Sequence, residues 1–250
     1  MNKVFCKKGF LFSFILTGCL IFFNTSCGLD TFYELPGPKN TIHTPDCSSI
    51  DYSENYFEFF TLEKEENDYL DNGIKFQGTE VYYKIYGSSS RLQSEADDLI
   101  TTANREDSNS SAAEKLIQSY HFQPLRGLDH YDVNVLVPSK WDNQRITIRL
   151  SDYSGLYLSQ ITADGKPIYG NENSPRVIPV RNLPDKTSFN FRNSDPDTIP
   201  VSDDVDVNTS GSSSSVWYVS MFAVAIGQDA SYSPIYSNIL YLGSVAIPVE

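Results

Sequence analysis

The sequence predicts a mainly β protein, a two-sheet sandwich interrupted by a two-helix insertion. Three observations lead there. Short runs alternating apolar and polar residues recur along most of the chain, with turn residues between them. Aromatics make up 13 % of the residues, with 16 Tyr and 15 Phe, and these types suit half-buried strand faces. From Ser90 to Tyr120 the apolar period changes from two to about 3.6, which marks helix. Many short strands with regular turn punctuation pack as a sandwich or barrel.

The chain opens on a different pattern. Lys3, Lys7 and Lys8 precede an almost unbroken apolar run of about 14 residues, Phe10 to Phe23. A small polar patch, Asn24-Thr25-Ser26, leads to Cys27. The run is short of the ~20 residues that cross a bilayer as a helix. A cationic start, a short apolar stretch and a small-residue end are the parts of a secretory signal. Residues 1–26 are therefore expected to be a signal peptide, residues 27–48 a tether, and residues 49–250 the folded domain.

The segment resembles the signal of a bacterial lipoprotein, of the spirochaete kind with a relaxed box followed by Cys-Gly. The resemblance implies cleavage before a cysteine and fatty acylation (a palmitate-type modification) of that residue. Cys27 is the expected lipidation site and Cys19 the alternative. Leu16-Thr17-Gly18-Cys19 fits the usual box more closely. Cutting there would leave only Gly9 to Ile15 as the apolar segment and Leu20-Ile21-Phe22-Phe23 as the new start. Cutting at Cys27 exposes Gly28-Leu29-Asp30, a better tether. One acyl chain binds a membrane marginally and two or more anchor stably. The implied address is the bacterial cell envelope, with the domain held at a membrane face.

Charge and cysteines narrow the partners. The whole chain carries a net charge of −13; losing three lysines with the signal takes it to −16. Such a balance disfavours nucleic acid and anionic lipid surfaces. Four cysteines are present. With Cys27 lipidated, Cys47 is the one thiol left to the mature chain, and the domain must rest on its core instead of on disulfides. Under the Cys19 cut a Cys27–Cys47 bridge becomes an option.

Along the domain, Leu35-Pro36-Gly37-Pro38 reads as tether punctuation, although the later part of residues 28–48 also suits a first edge strand. Strands are expected at Tyr56–Leu62, Thr79–Tyr86, Val133–Val137, Arg145–Leu150, Leu156–Ile161, Arg176–Val180, Ser188–Arg192, Val216–Ile226 and Tyr236–Leu242. The helical insertion at about 90–120 places Leu92, Ala96, Leu99, Ile100 and Ala103 on one face, and Ala113, Leu116, Ile117 and Tyr120 on that of a second helix. Ser90 with Gln93, and Ser111 with Glu114, read as capping boxes. Residues 193–215 form an acidic, serine-rich stretch expected to be a flexible loop.

Two stretches carry a second resemblance. Trp217 to Gly227 followed by Ser231, Ser233-Pro234 and Ser237-Asn238 is similar to the last two strands of a fibronectin type III domain. Gly78 to Lys84 looks like that family's third strand. The resemblance implies an Ig-like, fibronectin type III-like β-sandwich. Trp217 stands where the family has its corner tyrosine, and Phe59 or Phe60 must replace its core tryptophan.

Chemical constellations are sparse. His43, His121 and His130 have neither spacing nor cysteine partners for a zinc site. Cys47 would need a base from His121 or His130, and nothing in the sequence brings them together; no Gly-x-Ser-x-Gly elbow or phosphate loop is present. Asp204, Asp206 and Asn208 match the first three ligand positions of a calcium loop, but Thr209 replaces its glycine and Ser215 its bidentate glutamate. Tyr153, Tyr169 and Tyr232 lie outside the expected strands, where tyrosine builds contact surfaces. The sequence therefore points to a non-enzymatic, membrane-tethered protein without cofactor, binding a protein or matrix ligand or serving as a structural part. The alternative is a carbohydrate-binding module or enzyme-associated domain using exposed aromatics, for which the exposure of Trp141 and Trp217 is the discriminator.

Overall fold

A computed structural model describes residues 35–49, 51–61, 74–105, 110–128, 130, 132–141, 143–152, 155–169, 176–181, 191, 200, 207–208 and 216–248. Every described residue belongs to the compact unit Glu34–Glu250. That unit is mainly β with two helices.

Antiparallel pairing builds one sheet from β1 (Thr41–His43), β2 (Phe57–Phe60), β7 (Arg145–Arg149), β8 (Gln160–Ala163) and β9 (Lys166–Pro167), in that spatial order. The other sheet runs β11 (Val207–Asn208), β3 (Lys75–Tyr86), β12 (Val216–Gln228), β13 (Pro234–Pro248). Two short strands, β4 (Gln123–Pro124) and β6 (Val137–Pro138), also pair with β3. A separate ladder joins β5 (Arg126–Gly127) to β10 (Pro179–Val180).

Strand alternation decides what faces what. Phe57 and Phe59 of β2, Ile146 and Ile148 of β7, and Ile161 and Ala163 of β8 point one way. Val81, Tyr83 and Ile85 of β3, with Val219, Met221 and Ala223 of β12, join them in one buried cluster, so the two sheets share a core. Burying such side chains contributes about 1.5–3 kcal/mol each. Tyr82 and Tyr86 of β3 and Phe222 and Val224 of β12 point the opposite way. There they meet α1 (Ser89–Ala103) through Leu92, Ala96 and Leu99, and α2 (Ser111–Glu114) with its π-helical continuation Lys115–Ser119 through Ala113 and Leu116. The helical insertion thus covers the outer face of the second sheet.

Several boundaries depart from the sequence reading. Ser88 is the cap of α1, because its backbone is extended there (φ −146°, ψ 125°), whereas Ser90 is already helical. Ser110, not Ser111, precedes α2, and its hydroxyl donates to Glu114 at 2.9 Å. The strand expected at Leu156–Ile161 begins only at Gln160, because Leu156 and Leu158 stay exposed. Val133–Val137 gives a strand only at its end, Val137–Pro138, and Arg176–Val180 contracts to Pro179–Val180. Of Ser188–Arg192 only Phe191 is among the described residues; it packs edge-on against Tyr83.

The stretch assigned to the tether enters the fold before residue 48. Leu35 and Cys47 are buried, and Thr41–His43 is the edge strand that the sequence offered as the other reading. This segment lies along β13: the Ser244 amide donates to the Pro45 carbonyl at 2.9 Å, and the Cys47 amide donates to Ser244 Oγ at 3.2 Å. Gly243 permits the approach. Its φ of +116° disfavours a side chain, and a Cβ there would stand 2.6 Å from the Pro45 oxygen.

Candidate functional site

The outer face of the first sheet carries a set of half-buried aromatic and charged groups in mutual contact. Because Phe57 and Ile148 point inward, their neighbours Tyr56 and Arg149 point out. Arg149 Cζ lies 5.1 Å from the Tyr56 ring centre and 4.9 Å from that of Tyr157. Cations over aromatic faces at this range are attracted by the ring quadrupole. His43 of β1 stacks on Tyr56, with centroids 4.0 Å apart and planes 18° apart. The result is a row, His43–Tyr56–Arg149–Tyr157, running across three segments distant in sequence.

Hydrogen bonds hold the row in place. Arg149 donates to the carbonyls of Tyr52 (2.9 Å), Ser53 (3.1 Å) and Asn55 (3.4 Å). It thereby satisfies the carbonyl end of the 3-10 turn Tyr52–Glu54, which Asp51 caps at the other end. Burial, then the Glu58 and Glu54 carboxylates, raise the Tyr56 hydroxyl above its usual range, and Arg149 partly offsets them. Leu156 (80 % exposed) and Leu158 (46 %) flank Tyr157, and Tyr52 adds a further exposed ring. Rigid aromatics beside an arginine and exposed aliphatics form a surface suited to contact, since such side chains bring area at low entropic cost.

Two polar centres are internal. Glu95 of α1 is 3 % exposed and accepts from Lys84 Nζ (3.0 Å), Tyr86 Oη (2.9 Å), Arg91 Nε (2.8 Å) and Asn208 Nδ2 (3.0 Å). Lys84 also donates to the Tyr120 carbonyl at 2.7 Å. Burial pulls the Lys84 ammonium below its usual range, with Glu95 opposing, and pushes the Tyr86 hydroxyl up. Tyr120 in turn donates to Asp98, which is paired with Lys115. The second centre is Glu80, 2 % exposed, accepting from Arg126 Nη1 at 3.0 Å and from the Val81 and Leu136 amides. Burial outweighs Arg126 and raises the Glu80 carboxyl to about 7. Both centres have every partner they need inside the fold, so they fasten elements instead of facing a ligand.

The residues singled out from sequence are dispersed. His43 joins the surface row. His130 lies against the Tyr169 ring at 4.9 Å, and His121 precedes β4 with a φ of +56°. No described contact joins any of the three to Cys47, which is buried beside Ser244. No group of metal-ligating side chains occurs among the described residues. Of the calcium candidates, Asp204 and Asp206 lie outside the described residues, while the Asn208 amide is engaged by Glu95. Cys19, Cys27, Tyr153 and nearly all of residues 193–215 also lie outside them. Tyr169 is half-buried and donates to the Val135 and Leu136 carbonyls, whereas Tyr232 is 81 % exposed. Trp217 is buried, and Trp141 packs partly buried against the main core.

Sequence reasoning missed Arg149, Glu95 and Glu80. Arg149 is an outward position of an expected strand and resembles any solvated arginine. Glu95 borders the apolar stripe of α1, and Glu80 and Lys84 alternate with Val81 and Tyr83. A carboxylate on the margin of an apolar helix face was the available signal.

Comparison of the chain with family models, with curated proteins and with solved structures finds no match.

Proposed function

We propose that this chain is a lipid-anchored envelope protein whose β domain binds a protein or matrix ligand through the outer face of its first sheet, without catalysing a reaction. The observation that carries the reading is the row His43–Tyr56–Arg149–Tyr157, preorganised by Arg149 and rimmed by exposed Leu156 and Leu158. The signal pattern ending at Cys27 supports the anchor, and the dispersal of the three histidines and Cys47 supports a binding role over catalysis. The sugar-binding alternative, which uses exposed aromatics, has the exposure of Trp141 and Trp217 as its discriminator; Trp217 is buried and Trp141 is partly buried against the main core, which favours the first reading.

The architecture is read as a variant of the fibronectin type III sandwich. In Ig-type sandwiches the third, penultimate and last strands are adjacent, and the first, second and fifth share the other sheet. The orders β3-β12-β13 and β1-β2-β7 support that reading. The placement of β8 beside β7 departs from it, since the neighbour in that position precedes its partner in sequence in those folds.

The test has two arms. Mass analysis of the mature N-terminus is expected to find an acylated Cys27, and Cys27→Ala, unlike Cys19→Ala, to release the protein from membranes. A photocrosslinker at position 156 in intact cells is expected to give a discrete adduct that a crosslinker at exposed Gln93 on α1 does not. Identical adduct patterns from both positions would rule out this face as the binding surface.

A further inference from the structure

The turn between β12 and β13 is built to project one aromatic ring, and it lies beside the point where the described chain begins. Gln228 pairs with Pro234, leaving Asp229 to Ser233 as the turn. Asp229 organises it: its Oδ1 accepts from the Ser231 amide (2.8 Å), the Ser231 hydroxyl (2.7 Å) and the Ser233 amide (2.8 Å). Backbone bonds close the same loop, from the Tyr232 amide to the Asp229 carbonyl (3.0 Å) and from the Asp229 amide to the Ser233 carbonyl (3.1 Å). The side-chain bond from Ser231 and the amide bonds hold the Asp229 carboxyl below its usual range. The carboxylate charge is therefore directed at the loop's own donors.

Tyr232 sits at the tip with a φ of +65° and 81 % of its surface exposed. A bulky residue in the left-handed region is unusual and is held only where its surroundings dictate it. Among the described residues the ring stays 81 % exposed, yet four hydrogen bonds fix the backbone that presents it.

Leu35 is seated at the base of the same turn. It clusters with Ile74, Phe76 and Ala225, with Ile235 packed against them, and it lies 3.5 Å from where a Cβ on Gly227 would stand. Cys27 precedes Leu35 by eight residues, a length of chain that spans at most about 28 Å. Resting on the lipoprotein reading above, a lipid on Cys27 tethers the domain to the bilayer at this end. Tyrosine is enriched at membrane–water interfaces, where the ring meets the headgroup region and the hydroxyl stays wet.

We infer that the β12–β13 turn is a membrane-contact element, with Tyr232 seated in the headgroup region of the bilayer that holds Cys27. The contact orients the domain with the β12–β13 turn toward the membrane. Given the acidic chain, the matching surface is zwitterionic.

The test uses the full processed chain in phosphatidylcholine vesicles containing brominated acyl chains. Tyr232→Trp is compared with Leu156→Trp, a position equally exposed (80 %) on a different loop. Vesicle flotation reports the anchor, and quenching of the added tryptophan reports orientation. Both variants float, and Tyr232→Trp is quenched at least twofold more than Leu156→Trp. Flotation with equal quenching, or with stronger quenching of Leu156→Trp, overturns the membrane contact and leaves the anchor standing. A chain that does not float and carries an unmodified Cys27 overturns both.

Discussion

Glu95 of α1 accepts a 3.0 Å hydrogen bond from Lys84 of β3, and both side chains are nearly sealed from water. This ion pair joins the helical insertion to the second sheet through polar contacts amid an apolar interface of Tyr82, Tyr86, Leu92 and Leu99. Breaking a buried pair by removing one partner costs about 3–5 kcal/mol, because the other charge is left stranded. Glu95→Leu is expected to lower stability by that amount in urea titration. Lys84→Met combined with Glu95→Leu is expected to recover part of it, since the stranded ammonium is gone while the Tyr86 hydroxyl still lacks its acceptor.

Glu80 makes the domain's stability depend on pH in a defined direction. Its carboxyl titrates near 7 in the fold and near 4.5 when unfolded. Between those values the folded state holds a proton that the unfolded state has released. Stability from this group therefore falls as the pH rises from about 4.5 to about 7, and is level outside that window. The difference in unfolding free energy between the wild type and Glu80→Gln, followed from pH 4 to 8, is expected to show this slope. A flat difference would contradict it.

Arg149 ties the 3-10 turn Tyr52–Glu54 to β7 while lying against two rings. Its planar, forked donors serve three carbonyls at once, which an ammonium cannot reproduce. Arg149→Ala is expected to cost about 1–3 kcal/mol, the scale of losing hydrogen bonds from a charged group. Arg149→Lys should recover less than half of the loss, as read by thermal unfolding. Hydrogen exchange is expected to localise the loosening to residues 52–56.

Gly78 lies in β3 with a φ of +147°, where a Cβ would stand 2.2 Å from the Val137 oxygen and 2.9 Å from Val135 Cγ2. Neither the β6 backbone nor the buried valine can yield that distance. Gly78→Ala is expected to break the β3–β6 pairing and destabilise by at least about 2 kcal/mol, at the upper end of common single substitutions. Retention of wild-type stability together with protected Val137 and Ser139 amides would refute this account.

The strands with strong alternation were legible in the sequence, and so was the pair of helices. Thr79–Tyr86 and Val216–Ile226 carry their period of two in every turn of the pleat, and Leu92–Ala96–Leu99 its period of 3.6, so local pattern suffices. Leu156–Ile161 misled because the same alternation appears in an exposed loop tip, where nothing covers Leu156.

From the sequence alone follow the mainly β class, the two-helix insertion and the export-signal pattern ending at Cys27, because each is written in residues close together along the chain. The row His43–Tyr56–Arg149–Tyr157, the burial of Glu80 and Glu95, and the passage of residues 35–47 along β13 were decided by tertiary structure. Those contacts join positions roughly 10 to 200 residues apart, and the burial that turns a carboxylate into an internal fastener exists only once the helix has closed over the sheet at Glu95 and the segment carrying Arg126 and Leu136 has closed over Glu80.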